Sequence, residues 1–139
     1  MSNYREDIER LKNPKNIREA LCASSPYTLR KAFENDETVL HLIKAGREVT
    51  PPIFEELEKN GLNLNEITLS CFTYIVHKVD PKSAVKILKP LFAEAMKSPG
   101  AFFVYFAAHI LRQENNLSIK PLQMDYSRAE LKETLKRIS

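Results

Sequence analysis

Three histidines are the residues in this chain best suited to chemistry. His41, His77 and His109 are separated by 36 and 32 residues, at similar places in three predicted helical hairpins. If the hairpins stacked in register, the three rings could meet around a metal ion. No histidine has a second ligand at the short spacing of a local metal motif. The pattern therefore favours structural histidines, and we predict no metal site and no cofactor.

Cys71 is the best candidate for a nucleophile, with His77 or His109 as its base. No orienting acid and no oxyanion loop accompany these residues, so we predict a buried structural thiol and no catalytic residue. Cys22 is the other cysteine, and two cysteines in apolar contexts argue against a disulfide framework. We expect a reducing compartment, with the cytoplasm as the default, and a protein that is not an enzyme.

A lysine-rich helix face is the third chemical feature. Lys78, Lys82, Lys86 and Lys89 follow one another at helical spacing, and residues 61–139 hold eleven Lys or Arg against seven Asp or Glu. Such a face could bind nucleic acid or an acidic partner through phosphates or carboxylates. The net charge of +3 is small. A solvated helix surface is the simpler interpretation.

An aromatic cluster is the fourth feature. Tyr74 and the segment Phe102 to Phe106 carry closely spaced rings that could line a ligand pocket. Their helical spacing favours a hydrophobic core. The longest apolar run, 101–108, is too short for a membrane span, and the polar amino end does not resemble a signal peptide. We therefore expect no membrane partner.

The stretch from Thr38 to Asn65 shows best which elements must position these residues. Thr38 is a predicted N-cap that follows acidic residues, and Gly46 is placed to end that helix in a left-handed conformation. Thr50 and the proline after it repeat the start signal, and Gly61 ends the second helix. The pattern predicts two helices joined by a short turn.

This stretch resembles an ankyrin repeat. Thr38-Val39-Leu40-His41 is similar to the Thr-Pro-Leu-His opening of that family, with Val in place of Pro, and Ile53 to Asn65 resembles its second helix and polar exit. Weaker copies follow from Asn65 and from Pro99, so the resemblance covers residues 36 to 112. The segment Val79 to Leu91 also resembles a HEAT-like hairpin. The ankyrin resemblance implies that His41 is structural and hydrogen-bonds to neighbouring backbone.

The predicted fold is all-α, a short α-solenoid of stacked antiparallel helical hairpins with terminal capping helices. One domain of 139 residues divides into capping helices (1–35), repeat-like hairpins (36–114), a connector (115–125) and a C-terminal capping helix (126–139). In the first part, Ile17, Ala20 and Leu21 form a predicted buried stripe. An irregular helical bundle would bury the same apolar stripes as a regular stack.

Two functions follow as expectations. The first is a non-catalytic module that binds another protein through an extended helical-repeat surface. The ankyrin resemblance implies a contact surface at loop tips and exposed positions of first helices, comprising Asn35, Glu37, Lys44, Asn63, Glu66, Thr73 and Lys78. The alternative is nucleic-acid or acidic-partner binding through the basic face of Lys78, Lys82, Lys86 and Lys89.

Overall fold

The computed structural model describes residues 4–23, 26–97, 102–114 and 128–137, and every regular element in these ranges is a helix. The α-helices are α1 (Tyr4–Leu11), α2 (Arg18–Leu21), α3 (Pro26–Glu34), α4 (Glu37–Ala45), α5 (Thr50–Asn60), α6 (Glu66–Val79), α7 (Pro81–Ala95), α8 (Phe102–Glu114) and α9 (Arg128–Arg137). Short 3₁₀ turns cover Pro14–Asn16, Gly46–Val49 and Gly61–Asn63. The all-α prediction is confirmed. The predicted connector, 115–125, lies outside the described residues.

Helix ends follow the glycines, whereas two predicted helix starts are wrong. Gly46 has a φ of 78° and Gly61 a φ of 45°, and each follows the last residue of its helix, as predicted. Asp36, not Thr38, is the N-cap of α4, because its carboxylate accepts from the Val39 amide at 3.0 Å. Thr50 lies inside α5, because the 3₁₀ turn before it already has helical geometry.

Helix α6 is the centre of the molecule. It packs against α3, α4, α5, α7 and α8, and its residues from Thr68 to His77 are all buried. A helix whose side chains are apolar on nearly every side, as in α6, is stable between neighbouring helices. Backbone carbonyls accept from two of its buried polar side chains: Thr68 donates to Leu11 and Thr73 donates to Leu69, each at 2.8 Å.

Helix α8 connects the later part of the fold to the earlier part. It packs against α3, α6, α7 and α9. The ring of Phe106 meets Phe33 of α3 edge to face, with centroids 5.4 Å apart, and Tyr74 lies 5.8 Å from the same Phe33 ring. A linear stack, in which each hairpin meets only its neighbours, does not need a contact between α3 and α8. This contact favours the irregular bundle among the two predicted arrangements.

Two sequence predictions about buried faces differ in outcome. The aromatic segment of α8 belongs to the core, since Phe103 and Phe106 are both buried. Leu21 was predicted to be buried and is 49% exposed. Its helix is a single turn that buries Ala20 and, just before it, Ile17, so the next position along faces outward. Within the described ranges, no helix combines the length and apolarity that crossing a bilayer requires.

Candidate functional site

His41 lies on the surface, where its partner is a side chain. Its Nδ1 is 2.5 Å from the Oδ2 of Asp7, which connects α4 to α1. The ring of Tyr4 is 6.4 Å away. The expected hydrogen bond from His41 to neighbouring backbone is therefore wrong, because the carboxylate of α1 takes that position.

His77 and His109 are buried and are held by separate partners. His77 donates through Nδ1 to the Thr73 carbonyl at 2.9 Å, and burial lowers its pKa to about 4. His109 accepts at Nε2 from Arg30 at 3.0 Å, and burial together with the nearby guanidinium lowers its pKa to about 4. Both rings are neutral at pH 7. The part of the chain that is described contains no group of three side chains placed to hold a metal ion.

Cys71 is enclosed in the core of α6. Burial first, and the charge of Asp36 second, raise the pKa of its thiol well above the ordinary value. The group is therefore a neutral thiol, shielded from solvent, as expected for a structural cysteine. Cys22 ends α2 and is exposed.

The surface predicted for partner binding loses one member. Thr73 is buried, because α6 is surrounded by other helices and has no free face at this position. Its hydroxyl is satisfied by the Leu69 carbonyl. The remaining predicted residues are all exposed, and they are Asn35, Glu37, Lys44, Asn63, Glu66 and Lys78.

Two shallow clefts collect several of these residues around α2. The first, of about 300 Å³, is lined by Glu19 of α2 and by Asn35 and Glu37 at the junction of α3 and α4. The second, of about 330 Å³, is lined by Leu21 and by Glu66 at the start of α6. The structure thus places the predicted tip residues beside a helix that the sequence interpretation assigned only to capping. We call Glu19, Leu21, Asn35, Glu37 and Glu66 the α2 edge.

The sequence interpretation missed two residues of this edge, Glu19 and Leu21. Leu21 lies four residues after Ile17 and next to Ala20, and this helical spacing predicts that it belongs to a buried apolar stripe. The length of α2 could have revealed that Leu21 is exposed. Only four residues separate Ile17 from Cys22, which leaves room for one helical turn with one buried side.

The predicted basic face is present on α7. Lys82 and Lys86 are exposed and Lys89 is half-buried, with spacings of four and three residues. None of the three forms an ion pair with any residue that the structure describes. Lys78 projects from the neighbouring α6, where its ammonium lies 5.7 Å from the centroid of the Tyr74 ring. The lysines of α7 are available to an external anion.

Comparison with known proteins returns no similarity. No family model, curated protein or solved structure matches this chain. The ankyrin and HEAT resemblances therefore stay predictions that rest on the residues from Thr38 onward. The functions proposed below rest on the arrangement of side chains in the described part of the chain.

Proposed function

We propose that this chain is a non-catalytic module that binds another protein through the α2 edge. The observation that carries the proposal is the position of Leu21, which is half-exposed and lies in a cleft beside Glu66, one of the predicted partner-binding residues. Leu21 shares this cleft with Ala20, Ala23 and Ile67, and an exposed apolar patch with polar residues at its rim is typical of a protein contact.

The buried positions of the chemical groups support a binding function over a catalytic one. Cys71, His77 and His109 are enclosed in the core, where a substrate in solution does not reach them. The two clefts around α2 are shallow, and the described residues that line them include neither a histidine nor a cysteine. Both cysteines are free, which fits the cytoplasm as the working compartment.

We also propose that the fold contains a helical-repeat unit. We take α4, the Gly46–Val49 turn and α5 as one helical-repeat unit, since both helices pack against α6 and are joined through the turn. Partner binding needs only the exposed edge, so it does not depend on whether the remaining helices repeat this unit.

The test is a capture experiment with three baits: wild type, Leu21→Ser with Glu37→Lys, and Leu40→Ser. Leu40 is a matched control because it is 47% exposed on α4 and lines neither α2 cleft. We expect a discrete protein from cytoplasmic extract to stay bound at high salt to wild type and to the Leu40→Ser bait, and to be lost from the edge variant. Capture of no protein at either salt concentration would overturn the interaction function. Equal capture by all three baits would move it to another surface.

The second candidate is binding of nucleic acid or an acidic partner by α7. It is favoured by one observation: Lys82, Lys86 and Lys89 are unpaired among the described residues and lie on one side of the helix. Three phosphate contacts on duplex DNA predict a slope of about −2.7 in log K against log salt. Replacing the three lysines by Glu should abolish binding. The control carries the same charge change at exposed Lys15, Lys44 and Lys59, and equal loss in both variants would exclude a site on α7.

A further inference from the structure

Helix α7 carries a row of three lysines on its solvent side. Its opposite side contributes Ala84 and Leu88 to the core, and the helix packs against α6 and α8. At 3.6 residues per turn, Lys82, Lys86 and Lys89 lie within about 60° of one another around the helix axis. Lys82 and Lys86 are exposed and Lys89 is half-buried. We call these three residues the α7 lysine face.

The charge of the α7 lysine face is not neutralised within the described chain. None of its ammonium groups forms an ion pair with a described residue. The nearest carboxylates along the sequence have other partners. Asp80 accepts from the Ser83 amide at 3.4 Å as the N-cap of α7, and Glu94 lies 3.1 Å from the ammonium of Lys97. Three positive charges within about 10 Å of helix axis are therefore available to an anion.

The described side chains on the exposed side of α7 include no large apolar group. The exposed large hydrophobic residues in the described ranges are Leu21, Leu40 and Leu62, and none of them belongs to α7. A protein partner is normally held by a desolvated apolar or aromatic anchor inside a polar rim. A phosphate backbone is held by cations alone. The α7 lysine face therefore fits nucleic acid better than an acidic protein segment.

The composition of α7 also favours contact with the backbone over contact with the bases. Single strands are held by stacking on aromatic side chains, and the one aromatic residue of α7, Phe92, is buried. Base sequence is read mainly by Arg, Asn and Gln, and α7 contains none of them. A duplex carries one charge per about 1.7 Å of its axis, against about 3.4 Å for each strand, so it is the stronger ligand for a row of cations.

We propose that the α7 lysine face binds the phosphate backbone of double-stranded DNA without preference for base sequence. Its three ammonium groups replace counterions condensed on the phosphates, and release of those ions favours binding. Double-stranded RNA is recognised largely through its 2′-hydroxyls, and the one hydroxyl of α7, on Ser83, is half-buried. This inference rests on the second candidate function and specifies the polymer and the mode of contact.

The direct test is fluorescence anisotropy with the full chain and labelled nucleic acids at several salt concentrations. For a DNA duplex of about twenty base pairs, three phosphate contacts predict a slope of about −2.7 in log K against log salt, and for one of its strands about −2.1. A duplex of unrelated sequence should have the same Kd within about a factor of two. The RNA duplex of the same sequence and a poly-glutamate peptide should both bind more weakly than the DNA duplex.

Protein variants connect the salt dependence to individual lysines. Lys82→Gln, Lys86→Gln and Lys89→Gln each remove one charge and keep most of the side-chain stem, so each should reduce the magnitude of the slope by about 0.9. The triple variant should lose DNA binding. The matched control changes exposed Lys15, Lys44 and Lys59 to Gln, which gives the same net charge and should leave the slope at about −2.7. Circular dichroism confirms that each variant is folded.

Three outcomes would overturn the inference. The first is an unchanged slope in the three single variants, and the second is a single strand that binds as tightly as the duplex. The third is tighter binding of the RNA duplex or the poly-glutamate peptide than of the DNA duplex.

Failure of the inference and failure of the second candidate function are distinguishable. Tighter binding of poly-glutamate that the triple variant abolishes would keep an acidic-partner site on α7 and exclude DNA. Binding of no polyanion at any salt concentration would remove both. Neither result changes the capture of a protein through the α2 edge, because the bait with Leu21→Ser and Glu37→Lys tests that surface separately.

Discussion

Helices α1 and α3 are attached to the rest of the molecule by different kinds of contact. Around α1 one polar contact is buried, from the Thr68 hydroxyl to the Leu11 carbonyl, and the contacts between side chains lie at the surface or close to it. They are Tyr4 to Glu48 at 3.0 Å, Asp7 to His41 at 2.5 Å and Lys12 to Glu56 at 2.6 Å. Between α3 and α8 the polar contact is buried: Arg30 donates to His109 beside the edge-to-face pair of Phe33 and Phe106.

The two kinds of contact contribute differently to the stability of the fold. Both helices also bury apolar side chains, including Ile8 and Leu11 on α1. Exposed polar pairs exchange water for a partner at little net gain, so they fix the position of α1 more than they stabilise it. A buried polar group is costly when its partner is removed, and its protonation depends on its surroundings. The contact between α3 and α8 should therefore contribute more to stability than the surface contacts of α1, and its buried histidine should make stability depend on pH.

The largest expected effect comes from the aromatic pair. Phe33→Ala removes a fully buried ring and its contacts with Tyr74 and Phe106. We expect the free energy of unfolding in urea to fall by about 3–5 kcal/mol. Leu40→Ala is the control, because its side chain is half-exposed and should change stability by less than about 1 kcal/mol. A loss below 1 kcal/mol for Phe33→Ala would show that the core does not depend on this contact.

Acid sensitivity is the next largest effect. The pKa values of His77 and His109 are lowered to about 4 in the folded state, against 6.5 ordinarily, so the unfolded chain takes up protons first. The contribution of these two neutral rings to the free energy of unfolding is complete above pH 6.5, and it is lost as the pH falls toward 4. At pH 5, protonation of each histidine in the unfolded chain should have lowered the free energy of unfolding by about 2 kcal/mol.

Urea unfolding between pH 7 and pH 5 measures this loss. His109→Gln should remove part of the acid dependence, because the replacement does not titrate. Leu40→Ala should preserve it, because that change removes an exposed side chain that has no titratable group. The same pH dependence in wild type and His109→Gln would contradict the assignment of His109.

Arg30→Met tests the buried contact between α3 and α8, because it removes the hydrogen-bond partner of the His109 ring. His109 loses the donor to its Nε2 atom, and Glu34 loses its 2.6 Å contact with the guanidinium. We expect about 1–3 kcal/mol of destabilisation, less than for Phe33→Ala. The nearby positive charge also disappears, so the pKa of His109 should rise. An NMR titration of the ring proton measures the pKa of His109 in this variant. If that pKa stays at about 4, burial alone causes the lowering seen in the wild-type protein.

The smallest effect should come from the surface of α1. His41→Ala and Asp7→Asn each remove the contact between these residues, at an expected cost of about 0.2–1 kcal/mol. A double-mutant cycle gives the coupling free energy without the other effects of each change. A coupling above 2 kcal/mol would contradict the view that this contact positions α1 rather than stabilising it.

Local signals predicted much of the secondary structure. Gly46 and Gly61 end their helices because a positive φ is a property of one residue, and Asp80 begins α7 because capping needs only the next few amides. The same local rules misplaced two helix starts, since Asp36 and Val49, not Thr38 and Thr50, are the residues before the first turn.

The candidate site was predicted less completely, for a physical reason. Periodicity shows which face of a helix is apolar, but not what covers it. Thr73 is buried because five helices surround α6, and Leu21 is exposed because α2 is too short to bury more than one side. Neither fact depends on neighbours in sequence.

Local sequence patterns were sufficient to predict that the described part of the chain is helical and that α4 and α5 end at glycines. They also showed no recognisable catalytic pattern around the cysteines or the aromatic segment. These properties depend on residues within one or two turns of each other. Tertiary packing was needed to establish that α3 meets α8, that Arg30 donates to a histidine 79 positions away, and that two separate clefts adjoin α2, one lined by Leu21 and the other by Glu19 and Glu37. Such pairings follow from how whole helices pack, and packing depends on the shapes of all the buried faces at once.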